Sequence, residues 1–196
     1  MVITDRELLI RQAALQADAD KVVEDLGLTE ILARAGNAVR TGSSALGLMV
    51  ARDIDITTLC ATLDAGSLFA LMSPLVVHPR VRKMTFRNDT GHWNIDPQYP
   101  DGLYWMIEYV ADDGVAWSLD LWFLREGTTQ FDLEHMVALP PRLTDEARLA
   151  ILRIKTARAE APSGMRLPSY EIYRAVLDHG VRTPAEFEQY LETVKA

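Results

Sequence analysis

Cysteine is almost absent: Cys60 is the only one in 196 residues. A lone cysteine rules out an intramolecular disulfide and a cysteine-rich metal site, and it suits a reducing compartment. Long hydrophobic runs are missing too. The longest, Ser67 to Val77, contains Pro74 and is too short to span a bilayer. The opening Met1-Val-Ile-Thr-Asp-Arg-Glu has no basic region followed by an apolar core, so the expectation is a cytoplasmic protein with no membrane partner. Cations are outnumbered, 20 Lys and Arg against 28 Asp and Glu, for a net charge of −8. Broad, sequence-independent binding to nucleic acid depends on cations that neutralise phosphates, so that class of partner is disfavoured. Several signatures are lacking as well. No Gly-Lys-Ser/Thr follows the Gly42-Ser43 turn, no Gly-x-Gly-x-x-Gly opens a helix, and no Gly-x-Ser-x-Gly surrounds a serine. The four histidines, His78, His92, His135 and His179, show no i, i+4 pairing, which points to structural or surface roles.

What the chain has is concentrated between Val39 and Ile56. Ala38 to Thr41 suits a short strand, and Gly42 then allows a sharp turn or a close backbone approach, a place where phosphate could sit. Leu48 to Ile56 reads as a second strand. With a side-chain period of two, Asp53 and Asp55 share one face while Ile54 and Ile56 take the other. Paired carboxylates repel, and a divalent cation with all-oxygen ligands, magnesium above all, is the natural third party. An isolated Asp-x-Asp more often ends a strand in water, and the Gly-Ser turn beside it is what favours the metal.

Gly42-Ser43, nine intervening residues and then Asp53-Ile54-Asp55-Ile56 resemble the signature of the nucleotidyltransferase superfamily with a polymerase-beta-like fold. Thr41 stands where that family usually carries a hydrophobic residue. The family has a third carboxylate on a later strand, and Trp117-Ser-Leu-Asp-Leu-Trp-Phe123 offers Asp120 on the face opposite Trp117, Leu119, Leu121 and Phe123. The resemblance spans about residues 20 to 125. It implies Asp53, Asp55 and Asp120 as catalytic, metal-holding acids for Mg2+ or Mn2+, Gly42-Ser43 as a ligand of the triphosphate, and an NTP as co-substrate.

The rest of the chain alternates helix and strand signals. Thr4 and Glu7 form a capping-box pattern for a helix reaching Gly27, Thr29 can cap a second to Ala35, and Leu59 to Leu71 reads as a third, ended by Pro74. Val81–Arg87, Tyr104–Val110 and Ala116–Leu124 read as strands, the last two joined by Asp112-Asp113-Gly114. Between the first two, Asn88 to Gly102 is a long polar loop, either solvated or bordering the site. After Pro140-Pro141 the signals are helical. Thr144 opens a helix to about Ala159, a junction at Pro162-Ser-Gly164 follows, Ser169 caps a helix ending at His179-Gly180, and Thr183-Pro184-Ala-Glu186 opens the last. Arg148 and Lys155, seven positions apart, lie on one side of their helix. Such a pair usually forms a solvated basic edge; the sharper expectation is a triphosphate contact, by Lys155 or Arg148, with Lys155 as the named ligand.

The expected architecture is an α/β or α+β core with a short mixed sheet and flanking helices over residues 1–139, followed by a helical C-terminal lobe over 140–196. The expected activity is transfer of a nucleoside monophosphate from an NTP to an acceptor hydroxyl. That acceptor is a small molecule such as a cationic aminoglycoside or lincosamide, a protein side chain or, last because of the acidic surface, an RNA end. The alternative is a catalytically silent binding or regulatory module on the same fold. Neither the NTP preference nor the oligomeric state is written in the residues.

Overall fold

The computed structural model describes residues 3–96, 99–161 and 167–195. Helix α1, Asp5–Asp25, starts at the expected capping box, with Thr4 and Glu7 exchanging hydrogen bonds. Gly27 at φ 59 turns the chain directly into α2, Leu28–Ala33, so this helix begins one residue before Thr29 and has no side-chain cap. Strand β1, Asn37–Thr41, follows.

The next segment departs from the expectation. Gly42–Leu46 winds into a short helix, α3, closed by Gly47 at φ 68, and the second strand, β2, starts only at Asp53 and runs to Cys60. Leu48 and Met49 belong to the connection and are buried there. Because Thr57, Thr58 and Leu59 extend β2, the following helix, α4, spans Ala65–Val76 rather than starting at Leu59. Asp64 caps it by accepting from Ser67 N at 2.7 Å. Pro74 does not end α4. A proline there removes the N–H that the Ala70 carbonyl would receive, and Ser73 Oγ supplies the replacement at 2.8 Å.

Strands β3, Val81–Asp89, β4, Gly102–Val110, and β5, Ala116–Arg125, form where alternation places them. The five strands make one mixed sheet in the order β1-β2-β5-β4-β3, in which only β2 and β5 run parallel. Its inner face, with Ile54, Ile56, Trp105, Ile107, Leu119, Leu121 and Phe123, packs on α1, α2 and α4. Each such side chain contributes on the order of 1.5–3 kcal/mol on burial. Residues of opposite parity in β4 and β5, such as Tyr104, Met106, Ser118, Asp120 and Trp122, are only partly buried, which leaves a face for function.

A helix absent from the sequence reading, α5, spans Phe131–Ala138. Helices α6, Asp145–Glu160, α7, Ser169–His179, and α8, Pro184–Lys195, complete the chain. Thr144 caps α6 and Thr183 accepts from Glu186 N at 3.2 Å. Ser169 begins α7 without capping it. The expected junction at 162–164 lies outside the described residues. Helices α6, α7 and α8 share a second buried cluster with Leu46 and Leu48, so the connection after α3 is fastened to the helical part of the molecule. Among the described residues, no helix is long and apolar enough to cross a membrane.

Candidate active site

The parallel pairing of β2 with β5 builds the site. It sets Asp53 opposite Ser118 and Asp55 opposite Asp120, and adjacent strands lie about 4.8 Å apart. One carboxylate oxygen from each of Asp53, Asp55 and Asp120 falls within 4.8 Å of the others. All three expected acids are therefore together, on the face away from the core. Asp53 and Asp120 are partly buried, and so is Asp55. Burial first, then the charges of Asp53, Asp120 and Asp132, push its carboxyl up to about 8, against a smaller opposing pull from Lys155. Such a group holds its proton near neutral pH unless a cation arrives, and three clustered carboxylates form the all-oxygen donor set of Mg2+ or Mn2+. The residues fit that ion.

The Gly42 turn meets this cluster edge-on. Gly42 has φ +64, and a Cβ there would stand 2.1 Å from Asp55 Oδ2. Only glycine lets the backbone pass so near the carboxylate. Thr41, where a hydrophobic residue was expected from the resemblance, is 1% exposed and pairs in register with Asp55, so it is buried on the acids' side of the sheet rather than in the apolar core.

On the opposite side, Tyr104 of β4 donates its hydroxyl to Asp120 Oδ1 at 2.5 Å. Burial and this bond hold the phenol protonated well above its usual range. Tyr104 was missed by sequence reasoning. The Asp112-Asp113-Gly114 turn and the alternation of β4 and β5 carried the signal, since they place Tyr104 beside Trp122 on the face of Asp120.

Helix α5 adds groups that sequence reasoning did not assign. Gln130, 5% exposed, accepts from Thr57 Oγ1 at 3.3 Å and donates to Asp132 Oδ2 at 3.1 Å. Burial raises the Asp132 carboxyl. A cavity of ≈ 250 Å³ is lined by Gly42, Ser43, Asp53, Asp55, Asp132 and His135, with Tyr99, Tyr170 and Tyr173 also on its wall. His135, expected to be structural or on the surface, thus borders the acids.

Lys155 is neither a solvated edge nor part of that lining. It is 8% exposed, and its Nζ donates to the Leu48 carbonyl at 2.9 Å and lies 5.7 Å from the Tyr173 ring centroid. Arg148 donates to the carbonyl of Leu46. The two cations grip the last residue of α3 and the connection just beyond it. Burial lowers the Lys155 ammonium to about 8, while Asp53 and Asp55 act in the opposite direction.

No family model and no curated protein matches the sequence. Solved structures do match. A STING-associated CdnE c-di-GMP synthase from Capnocytophaga granulosa superposes with a TM-score of 0.56 at 12% identity, covering 85% of this chain and 60% of that one. The Cid1 poly(U) polymerase with MgGTP bound gives 0.52 at 17% identity, covering 89% and 50%. Cid1 with its short product ApU gives 0.50 at 16% identity, covering 89% and 49%. At such identities the likeness is one of fold, and the fold is the nucleotidyltransferase core, a five-stranded mixed sheet flanked by helices. This chain spans about half to three-fifths of the length of those proteins.

Proposed function

We propose that this chain is a metal-dependent nucleotidyltransferase that moves a nucleoside monophosphate from an NTP to an acceptor hydroxyl. The observation that carries the reading is the register of Asp55 with Asp120, which gathers Asp53, Asp55 and Asp120 on an open sheet face against the Gly42 turn. General support comes from solved neighbours that include a c-di-GMP synthase and a poly(U) polymerase.

Asp53 and Asp55 would hold Mg2+ or Mn2+ against the triphosphate, with Asp120 completing the set. Bound there, a divalent ion would offset the charge of the acids and of the triphosphate oxygens and polarise the α-phosphoryl group. Gly42 and Ser43 present backbone to the triphosphate, and Lys155 adds positive charge to the same region. Helix α7 would close one side of the cleft through Ser169, Tyr170 and Tyr173.

In the reaction, the acceptor oxygen bonds to the α-phosphorus, the bond from that phosphorus to the bridging oxygen breaks, and pyrophosphate leaves with the electron pair. Asp120 takes the hydroxyl proton and passes it to solvent. Positioning and charge neutralisation do most of the work in such a transfer. Calorimetric titration with each NTP and magnesium tests the reading. Binding in the wild type, lost in Asp53→Asn, is expected. Failure of every NTP to bind at millimolar concentration with the acids intact would leave a silent binding or regulatory module in its place.

A further inference from the structure

Strand order puts the Gly42 turn and its cavity on the β1 side of the acids, and β4 and β3 on the other side. On that second side the face of the sheet carries a ladder of two tilted rings and a guanidinium. Tyr104 and Trp122 are register partners with ring centroids 4.8 Å apart. Arg87, the register partner of Tyr104, lays its guanidinium carbon 4.8 Å from the Tyr104 centroid and 5.4 Å from that of Trp122. Asp89 fixes the guanidinium by accepting from Nε at 2.7 Å, yet the Arg87 side chain stays 56% exposed. A flat, held, positively charged surface therefore faces solvent. It is tied to the acids, because the Tyr104 hydroxyl bonds to Asp120.

We propose that Arg87, Tyr104 and Trp122 form the acceptor subsite, and that the acceptor is a mononucleotide whose base stacks on the guanidinium plane while its ribose hydroxyl lies over Asp120. This rests on the nucleotidyl-transfer reading and gives that reaction its second substrate. Stacking on aromatic rings and on arginine planes is how proteins hold unpaired bases without needing a groove. Trp122 is two residues from Asp120, about 7 Å along the strand, which is the span from a base to the hydroxyls of its own ribose. The alternatives fit less well. A cationic aminoglycoside would meet a guanidinium at the entrance, and an aliphatic hydroxyl side chain would leave the plane unused. Long RNA is opposed by the net charge of −8.

The test incubates the full chain with magnesium and an α-labelled NTP together with, in separate arms, nucleoside monophosphates, a 5′-phosphorylated trinucleotide RNA and kanamycin. Wild type is compared with Arg87→Lys, Arg87→Ala and Trp122→Leu. Phosphatase-resistant label on the mononucleotide is expected. Arg87→Lys and Arg87→Ala should each raise the acceptor KM ten-fold or more, because lysine keeps the charge and loses the plane. The Kd of a non-hydrolysable NTP, titrated without acceptor, should change less than two-fold. Label on the trinucleotide end with the same Arg87 dependence keeps the ladder as a base site and moves the source of the base to RNA. Label on kanamycin alone, or an acceptor KM indifferent to both Arg87 variants, overturns the proposal and leaves nucleotidyl transfer standing. Absence of donor binding removes both.

Discussion

Asp55 on β2 and Asp120 on β5 are partners across the only parallel ladder in the sheet, and Asp53 completes a three-carboxylate cluster with them. The arrangement works against the metal-free protein. Burial and like charge hold the Asp55 carboxyl at about 8 in the fold, against about 4 in an unfolded chain. A carboxyl raised on folding favours the native state below its unfolded value and withdraws that support as pH climbs through the folded one. Metal-free wild type should therefore lose stability between about pH 4 and 8, by up to about 1.4 kcal/mol per pH unit from this group. Asp55→Asn should flatten the slope and melt higher than wild type at pH 8. Denaturant titrations at several pH values in chelator decide the matter; a variant less stable than wild type throughout would make Asp55 a structural residue.

Gly42 supports a second test with its own control. Gly42 and Gly114 both have positive φ, +64 and +77, but only Gly42 faces a neighbour that an added methyl would strike, Asp55 Oδ2 at 2.1 Å. Alanine at either position incurs a backbone cost of about 1–2 kcal/mol. Gly42→Ala should also displace the Asp55 carboxylate and cut nucleotide turnover roughly a hundred-fold, the usual penalty for a misplacement of about 1 Å. Gly114→Ala should lose only stability. Equal turnover in the two variants would separate the turn from the chemistry.

The two acids of β2 and the one of β5 are legible in the chain because strand parity is a local property: Asp53-x-Asp55, and Asp120 among Trp117, Leu119, Leu121 and Phe123, can face only one way relative to their apolar neighbours. What parity cannot carry is pairing at a distance. The parallel ladder between β2 and β5 and the buried bond from Lys155 to Leu48 join residues far apart in sequence. The short helix α5 escaped for another reason. It spans only eight residues, too few to show a helical period, although Phe131, Leu133, Met136 and Val137 are apolar. The connection after Gly42 read as strand because Leu48, Met49 and Val50 are apolar, whereas Gly47 at φ 68 ends a helical turn there.

Tyr104 offers a test that separates orientation from binding. Its hydroxyl holds Asp120 Oδ1 at 2.5 Å, while its ring belongs to the ladder with Trp122. Tyr104→Phe removes the first and keeps the second. A hydrogen bond to a charged group is worth about 1.5–3 kcal/mol, so kcat should fall roughly ten-fold or more, with the KM of both substrates little changed. A raised KM with an intact kcat would assign Tyr104 to binding alone.

Lys155 decides whether the helical part of the chain takes part in nucleotide binding or only in folding. Its Nζ, held by the Leu48 carbonyl, is lowered to about 8 by burial, against about 10.4 in an unfolded chain. A lysine lowered on folding weakens the native state while both forms are charged, and the deficit recedes as pH rises through that interval. Wild type should accordingly gain on Lys155→Met between about pH 8 and 10.4, by up to about 1.4 kcal/mol per unit. Loss of the bond to Leu48 costs about 1–3 kcal/mol in the other direction, whatever the nucleotide does. The functional part shows in protons. A bound triphosphate would favour the charged amine, so at pH 8.5 binding of a non-hydrolysable NTP with saturating magnesium should draw a fraction of a proton onto Lys155, seen as a dependence of the calorimetric heat on buffer ionisation. Lys155→Met should lose that uptake and weaken the nucleotide roughly ten-fold. If uptake and affinity are unchanged while the melting temperature falls, Lys155 acts only as the fastening of Leu48 to α6.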